Sequence, residues 1–310
     1  MRFRTQVSNV PLLHKIVRSL ASLARLCIIR LSAEKVHFII SGNEGKDGVQ
    51  VWSQVKVPTL FTQFRIESNN DNEIWLEINL DALLKVLKSA DSSAGTTNEA
   101  SRFNSTALSD SDVSIKLNKR PAASGGTGGQ AIWVFDIKGT TALGKLMSIT
   151  HEVNVNVLTK KRQDELNEPM CPPPDVHLVL PSLLDLRNIV SRLSHLAEDV
   201  KMSANHDGAM ELSVMDPRVE MSMSWRNLHN PAASLPADGE ADATPKDKMF
   251  STTVSIKGLL KFLNCHLVGG TAIACICEKH CIIAYVYIGD VDEAGGVLTF
   301  FIPAKNYGDD

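Results

Sequence analysis

The sequence has few aromatic residues, no regularly spaced cysteines and no long apolar run. Aromatic residues make up 5% of its 310 residues. No apolar run approaches the roughly 20 residues that a membrane-spanning helix needs, which excludes such a helix and a membrane partner. The six cysteines have no regular spacing, and we recognise no signal peptide. We therefore expect a reducing compartment, cytosol or nucleus, rather than a secreted, disulfide-linked protein.

Four segments carry apolar residues at steps of three and four, which is the pattern of an amphipathic α-helix. These segments are residues 10–26, 79–91, 181–197 and 255–267. The apolar stripes that we expect to be buried include Leu12, Leu13, Leu20, Leu184, Leu193, Leu196 and Leu260. Polar or terminal helix positions, where a histidine would modulate the charge of the outer face, hold His14, His195 and His266. Phe262 is the one aromatic residue predicted on a basic face.

The four helical segments are basic within an acidic chain. Counting residues 80–90 of the second segment, nine basic side chains accompany two acids, Asp81 and Asp185, so the segments carry +7. Because the whole chain carries a net charge of −3, the remainder carries −10. Both acids fall in first helical turns, where the helix dipole favours them. The nine bases are Lys15, Arg18, Arg25, Lys85, Lys88, Arg187, Arg192, Lys257 and Lys261.

These bases lie opposite the apolar stripes, so helices packed side by side on a sheet would form one positive surface. Such a surface suits the phosphate backbone of double-stranded DNA without reading its sequence. No zinc finger, basic zipper or helix-turn-helix spacing is present, and the scarcity of aromatics argues against stacking on single strands. The alternative is that the bases only solvate helix exteriors, although a solvated face normally mixes both signs of charge.

The two halves of the chain repeat one order of elements. Each half runs strand, long helix, strands in a meander, short helix and further strands, with 171 to 176 residues between corresponding helices, which indicates an internal duplication. We predict a first domain at 1–158, a charged and Pro-rich connector at 159–175, and a second domain at 176–310. Segments of low apolar content predict disordered insertions at 91–111, 121–130 and 230–248.

Two motifs resemble ligand sites, and we assign neither of them to one. GTTALGKL at 139–146 nearly matches a phosphate-binding loop, but Leu146 stands where the Mg²⁺-binding hydroxyl belongs and no helix pattern follows. CICEKHC at 275–281 groups metal-ligand types, yet buried cysteines in a hairpin are the commoner case. No catalytic triad or paired carboxylates stand out. We expect no enzyme activity, no cofactor and no metal.

Seven blocks of sequence resemble one family, the Hus-type subunit of the checkpoint sliding clamp known as the 9-1-1 complex. In chain order they are MRFR (1–4), RLCIIRLSAEKVHFI (25–39), EIWLEINLDALLKVLKSA (73–90), THEVNVNVL (150–158), LNEPMCPPPDVHLVLP (166–181), NHDGAMELSV (205–214) and TFFIPA (299–304). The resemblance implies an α+β, PCNA-like clamp fold. Two similar domains would each place antiparallel sheets outside and two helices on the inner face of a ring, with the nine bases facing DNA.

The same resemblance implies a set of partners. Two other clamp subunits would complete a heterotrimeric ring around damaged double-stranded DNA, an RFC-like clamp loader would load it, and checkpoint and repair proteins would dock on it. The expected location is the nucleus with a cytoplasmic pool. Two alternatives stay open: a homotrimeric PCNA-like replication clamp, and an NTPase that uses the loop at 139–146.

Overall fold

Antiparallel strands form most of the chain, and a few short helices pack on them. The computed structural model describes residues 1–42, 48–91, 109–121, 129–140, 144–216, 219–231 and 245–305. The chain divides into two compact units, Met1–Ile40 with Ser53–Asn167 and Ser41–Trp52 with Glu168–Asp310. The predicted insertions at 91–111, 121–130 and 230–248 lie largely outside the described residues.

The first half of the chain contains one long series of paired strands and the first helix pair. Its elements are β1 (Arg2–Val7), α1 (Val10–Ala21), β2 (Leu26–Leu31), β3 (Lys35–Ile40), β4 (Gln50–Lys56), α2 (Val57–Leu60), β5 (Phe61–Glu67), β6 (Ile74–Asn79), α3 (Leu80–Ala90), β7 (Ser109–Arg120), β8 (Gln130–Thr140), β9 (Leu146–Val157) and α4 (Lys160–Asp164). The strands are hydrogen-bonded in the order β4-β3-β2-β6-β9-β8-β7-β1-β5. The pairs between β6 and β9 and between β1 and β5 are antiparallel.

The second half repeats this plan with two smaller strand sets. Its elements are β10 (Val176–Val179), α5 (Leu183–Leu193), β11 (Asp199–Ala204), β12 (Met210–Asp216), β13 (Val219–Trp225), β14 (Phe250–Ser255), α6 (Ile256–Leu263), a 3₁₀ turn (Asn264–Leu267), β15 (Ala272–Cys277), β16 (Cys281–Ile288) and β17 (Gly296–Pro303). One set has the order β10-β15-β16-β17 and the other β13-β12-β11-β14. All pairs in both sets are antiparallel.

Each unit buries the apolar stripes of two neighbouring helices. In the first unit α1 packs beside α3, and in the second α5 packs beside α6. Ile16, Val17 and Leu20 of α1 are completely buried. The core below α5 and α6 includes Met202, Leu212 and Ile302, so strands of both sets in this unit contribute to it. Because burying each such side chain contributes about 1.5–3 kcal/mol, the stripes fix which helix face points outward.

Five leucines of the predicted stripes are not fully buried. Leu184 is 47% exposed and Leu196 is 38% exposed, and Leu12, Leu84 and Leu260 are half-buried. Leu184 lies in the first turn of α5, where Ser182 accepts a hydrogen bond from the backbone of Asp185 and the neighbouring Leu183 and Leu186 enter the core instead. Leu196 follows the end of α5. The stripe is therefore narrower than predicted.

The long helices also end earlier than the sequence predicts. α1 ends at Ala21 rather than residue 26, because the backbone N–H groups of Ser22 and Leu23 bond to carbonyls three residues back and tighten the last turn. Leu23 thereby enters the core, and the chain turns into β2. α6 ends at Leu263 and continues as the 3₁₀ turn. In the described part of the chain no helix is long and apolar enough to cross a membrane.

Candidate nucleic-acid interface

The outward faces of α1 and α3 present four exposed bases. Asn9 accepts a hydrogen bond from Leu12 N at the start of α1, and Asn79 does the same for Ala82 N in α3, at 3.0 Å in both cases. These caps and the buried stripes set the rotation of each helix, so the remaining face is turned to solvent. The exposed bases on it are Lys15, Arg18, Lys85 and Lys88.

The helix pair of the second unit presents a less open basic face. Arg192 and Lys257 are exposed, whereas Arg187 and Lys261 are half-buried. Arg187 donates from Nε to Asn264 Oδ1 at 3.0 Å, a bond that ties α5 to the 3₁₀ turn after α6. The Arg187 side chain therefore helps to hold the two helical segments together.

The prediction that Arg25 lies on the first helix is wrong. Arg25 is exposed in the bend between α1 and β2, and its carbonyl oxygen accepts a hydrogen bond from Leu80 N at 2.9 Å. The early end of α1 causes this displacement. Arg25 therefore lies beside the start of α3, and its backbone helps to fix that helix.

The exposed helix bases are not neutralised by nearby carboxylates. Among the described residues, the ion pairs that the structure shows lie on strands or residues next to them, on the connector, and between His14 and Asp91. Within the same residues none of these pairs involves Lys15, Arg18, Lys85, Lys88, Arg192 or Lys257. The one acid on α3, Asp81, occupies its first turn. Positive charge left unpaired on adjacent helices attracts a polyanion such as a phosphate backbone.

His14 does not belong to the outer face, contrary to the prediction. It is buried, with Nδ1 2.6 Å from Asp91 Oδ2 at the C-terminal end of α3. Ser19 and Phe262 are buried as well, and Phe262 packs edge-to-face on Phe300. The spacing of the apolar residues already indicates that His14 is buried, because His14 lies four residues after Val10 and three before Val17, and both valines are buried. The pairing with Asp91, 77 residues away, left no signal in the sequence.

Removing one partner of the His14–Asp91 contact will destabilise the first unit. His14→Ala leaves a buried carboxylate without that partner, and we expect a loss of about 2–4 kcal/mol of unfolding free energy. Urea unfolding measures it. His195→Ala is the control, because His195 is exposed after the end of α5 and should cost under about 0.5 kcal/mol. Equal losses for the two variants would show that the buried contact contributes nothing.

His266 and the loop at 139–146 both have structural roles. His266 donates from Nδ1 to the Leu263 carbonyl oxygen at 2.9 Å, which closes the turn after α6. In the 139–146 loop, Thr140 pairs with Leu146 across an antiparallel hairpin, and Leu146 begins a strand. No helix N-terminus follows Lys145, so the feature that binds phosphate in such loops is missing here. Residues 141–143 of that motif lie outside the described residues.

The cysteine-rich hairpin is an apolar cluster. Cys275 and Cys277 lie on one face of β15 and pack with Cys281 of β16. Burial raises the pKa of Cys275 to about 12 and also raises the pKa of Cys277 and Cys281. Across the described ranges, no group of three or more His, Cys, Asp or Glu residues is placed to hold a metal ion.

The architecture matches that of a sliding clamp. A solved structure of Proliferating Cellular Nuclear Antigen from Entamoeba histolytica superposes with a TM-score of 0.66 and 14% sequence identity. The match covers 98% of this chain and 99% of that one. At this identity the likeness establishes the fold, so the chain has a PCNA-like clamp fold of mixed α and β structure.

Sequence relatives narrow the class to one family. The family model described as Hus1-like protein matches residues 1–306. Checkpoint protein hus1 of Schizosaccharomyces pombe is 32% identical over 97% of this chain and 98% of its own length. Checkpoint protein HUS1 of Homo sapiens is 24% identical over 98% and 99%, and the homolog of Dictyostelium discoideum is 26% identical over 98% of each. The chain belongs to the Hus1-like protein family of checkpoint clamp proteins.

Proposed function

We propose that this chain is a non-catalytic subunit of a heterotrimeric ring that encircles damaged double-stranded DNA in the nucleus. The observation that carries the proposal is the presence, in a chain of this family, of two helix pairs whose outward faces hold unneutralised bases. The clamp domains would be residues 1–158 and 176–310, joined by the connector at 159–175. In this arrangement all four helices line the ring.

A ring does not need tight contacts to stay on DNA. Because the closed ring cannot dissociate sideways, weak and water-rich contacts to phosphates suffice, and weak contacts permit sliding. The nine predicted bases would supply these contacts, with the exposed ones at the surface of the duplex. Arg187 and Lys261 would contribute less, because both are half-buried.

Two strand edges supply surfaces on which neighbouring subunits could pair. β13 is the outer strand of its set, and its Val219 and Met221 are exposed. β9 pairs with β8 along Leu146–Asn154, but with β6 only from Val155. Leu146 and Met147 are exposed at its open end. Exposed apolar strand edges promote aggregation, and pairing each with a strand of another subunit would remove that hazard.

Assembly with two other clamp subunits should depend on the β13 edge. Co-expression with candidate clamp subunits followed by mass measurement should give one copy of each chain. Val219→Asp with Met221→Asp places two charges on the edge and should abolish one of the two contacts while leaving the chain folded. Met170→Asp is the control, because Met170 is 97% exposed on the connector. Full assembly of the β13 variant would exclude this edge from the interfaces.

The mass measurement also separates the alternatives. A homotrimeric replication clamp would form a trimer from this chain alone, whereas the proposed subunit stays monomeric until its partners are added. ATP turnover that disappears in Lys145→Ala would support the NTPase alternative. An RFC-like ATPase would load the assembled ring, and checkpoint and repair proteins would dock on it.

A further inference from the structure

Three cysteine thiols meet where the connector crosses the hairpin of β15 and β16. Cys281 Sγ lies 3.5 Å from Cys171 Sγ, and Cys277 Sγ lies 3.5 Å from the carbonyl oxygen of Pro172. Cys277 and Cys281 are directly opposite each other in the hairpin. The six cysteines of the chain all lie within the described ranges, and all are thiols.

Within the described ranges, the hydrogen bonds that join the connector to this hairpin involve Cys171 itself and residues that follow it. Asp175 N donates to the Ile276 carbonyl oxygen, and Asp175 Oδ2 accepts a hydrogen bond from Glu278 N at 2.7 Å. On the N-terminal side of Cys171, Met170 is almost fully exposed. The contact between Cys171 and Cys281 is therefore the place where a covalent bond would hold the connector against the sheet.

From this geometry we infer that Cys171 and Cys281 form an oxidation-sensitive pair, which a peroxide converts into a disulfide that fastens the connector to the second unit. The inference does not rest on the proposed function. A disulfide needs the two sulfurs at about 2.05 Å, so one side chain or the connector must move by only about 1.5 Å. That movement is small for a segment in which the neighbouring Met170 is almost fully exposed.

The exposures of the two thiols assign their roles. Cys171 is half-buried, whereas Cys281 is buried in the apolar cluster. Burial, followed by the contact with the Cys171 thiol, raises the pKa of Cys281 above its usual range and keeps it protonated. A peroxide therefore reacts with Cys171 first, and Cys281 then attacks the oxidised Cys171 to form the disulfide.

The reaction balances with hydrogen peroxide as the oxidant. The Cys171 thiolate attacks one peroxide oxygen and breaks the O–O bond, giving a sulfenic acid and a hydroxide that takes up a proton. The Cys281 sulfur then attacks the sulfenic sulfur, the S–O bond breaks, and the oxygen leaves as water with the thiol proton. The two thiols lose two electrons and two protons in total, and one peroxide becomes two waters.

Peptide mapping of the full-length chain tests the inference. After hydrogen peroxide treatment, alkylation and digestion without reductant, we expect a peptide linking Cys171 to Cys281 that dithiothreitol removes. Cys171→Ser should abolish it. In Cys281→Ser a dimedone adduct should accumulate on Cys171. Cys275→Ala is the matched control, because Cys275 is buried in the same cluster opposite Ile283, and it should oxidise at the wild-type rate.

Two outcomes would overturn the inference. One is a link between Cys277 and Cys281 in the wild-type chain, and the other is Cys171 that stays a thiol or passes to sulfinic acid without any link. Mapping of the wild-type chain alone decides between these results, so the test survives if a variant fails to fold. A melting temperature that rises on oxidation in the wild type, but not in Cys171→Ser, would confirm that the bond constrains the chain.

Discussion

Neutralising the four exposed bases of α1 and α3 will weaken binding to duplex DNA and flatten its dependence on salt. The variant carries alanine at all four positions, Lys15, Arg18, Lys85 and Lys88. Each phosphate contact that is lost should reduce the slope of log K against log salt by about 0.9. Fluorescence anisotropy of a short duplex, titrated with the full chain at several salt concentrations, measures the slope. Unfolding free energy should change by less than about 0.5 kcal/mol for each position, because all four side chains are exposed.

A matched variant controls for the loss of net charge. It removes four other exposed lysines, Lys56, Lys119, Lys161 and Lys201. Lys201, for example, alternates along β11 with the buried Val200 and Met202, so it points away from the core. If binding depends on the helix faces, the control should keep most of the salt slope. Equal slopes in the two variants would show that only the total charge matters.

Leu193→Asp will unfold the second unit, whereas Leu184→Asp on the same helix will not. Leu193 is buried, with 1% exposure, so an aspartate there loses the packing of a leucine and places a charge in an apolar core. We expect a loss of at least about 4 kcal/mol. Leu184 is exposed and lies in the first turn of α5, where the helix dipole favours an acid. Its replacement should cost less than about 1 kcal/mol.

Circular dichroism during urea unfolding distinguishes the two variants. Leu20→Asp extends the test to the first unit, because Leu20 is fully buried on α1. Native stability of either Leu193→Asp or Leu20→Asp would mean that the helices are rotated relative to the structure, and that their bases do not face outward.

The sequence predicts elements best where apolar spacing and turn residues agree. Met210–Asp216, one strand of the meander in the second half, buries Met210, Leu212 and Val214 on one face and follows a turn at Gly208. The helix predicted at 79–91 is observed as α3 (Leu80–Ala90), because the Asn79 cap and the spaced leucines both define it. The family resemblance, carried by blocks in both halves, gave the clamp fold that the structural comparison confirmed.

The sequence predicts helix ends and buried positions least well where contacts between distant residues determine them. α1 stops at Ala21, where a tight last turn brings Leu23 into the core and leaves Arg25 outside the helix. The partner of Arg187 is an asparagine 77 residues away, a contact that no local pattern encodes. Leu184 and Leu193 are both leucines and both fit the apolar spacing, yet only Leu193 is buried.

Retention of the assembled complex on circular DNA tests most directly whether this chain is part of a ring around the duplex. The complex of this chain with its two partner subunits is loaded on a nicked plasmid, the salt is raised to suppress phosphate contacts, and the plasmid is then cut once. We expect the complex to stay on the circle at high salt and to be lost from the cut DNA, since a ring can slide off an open end. Equal loss from circular and cut DNA at high salt would contradict encirclement and leave only surface binding.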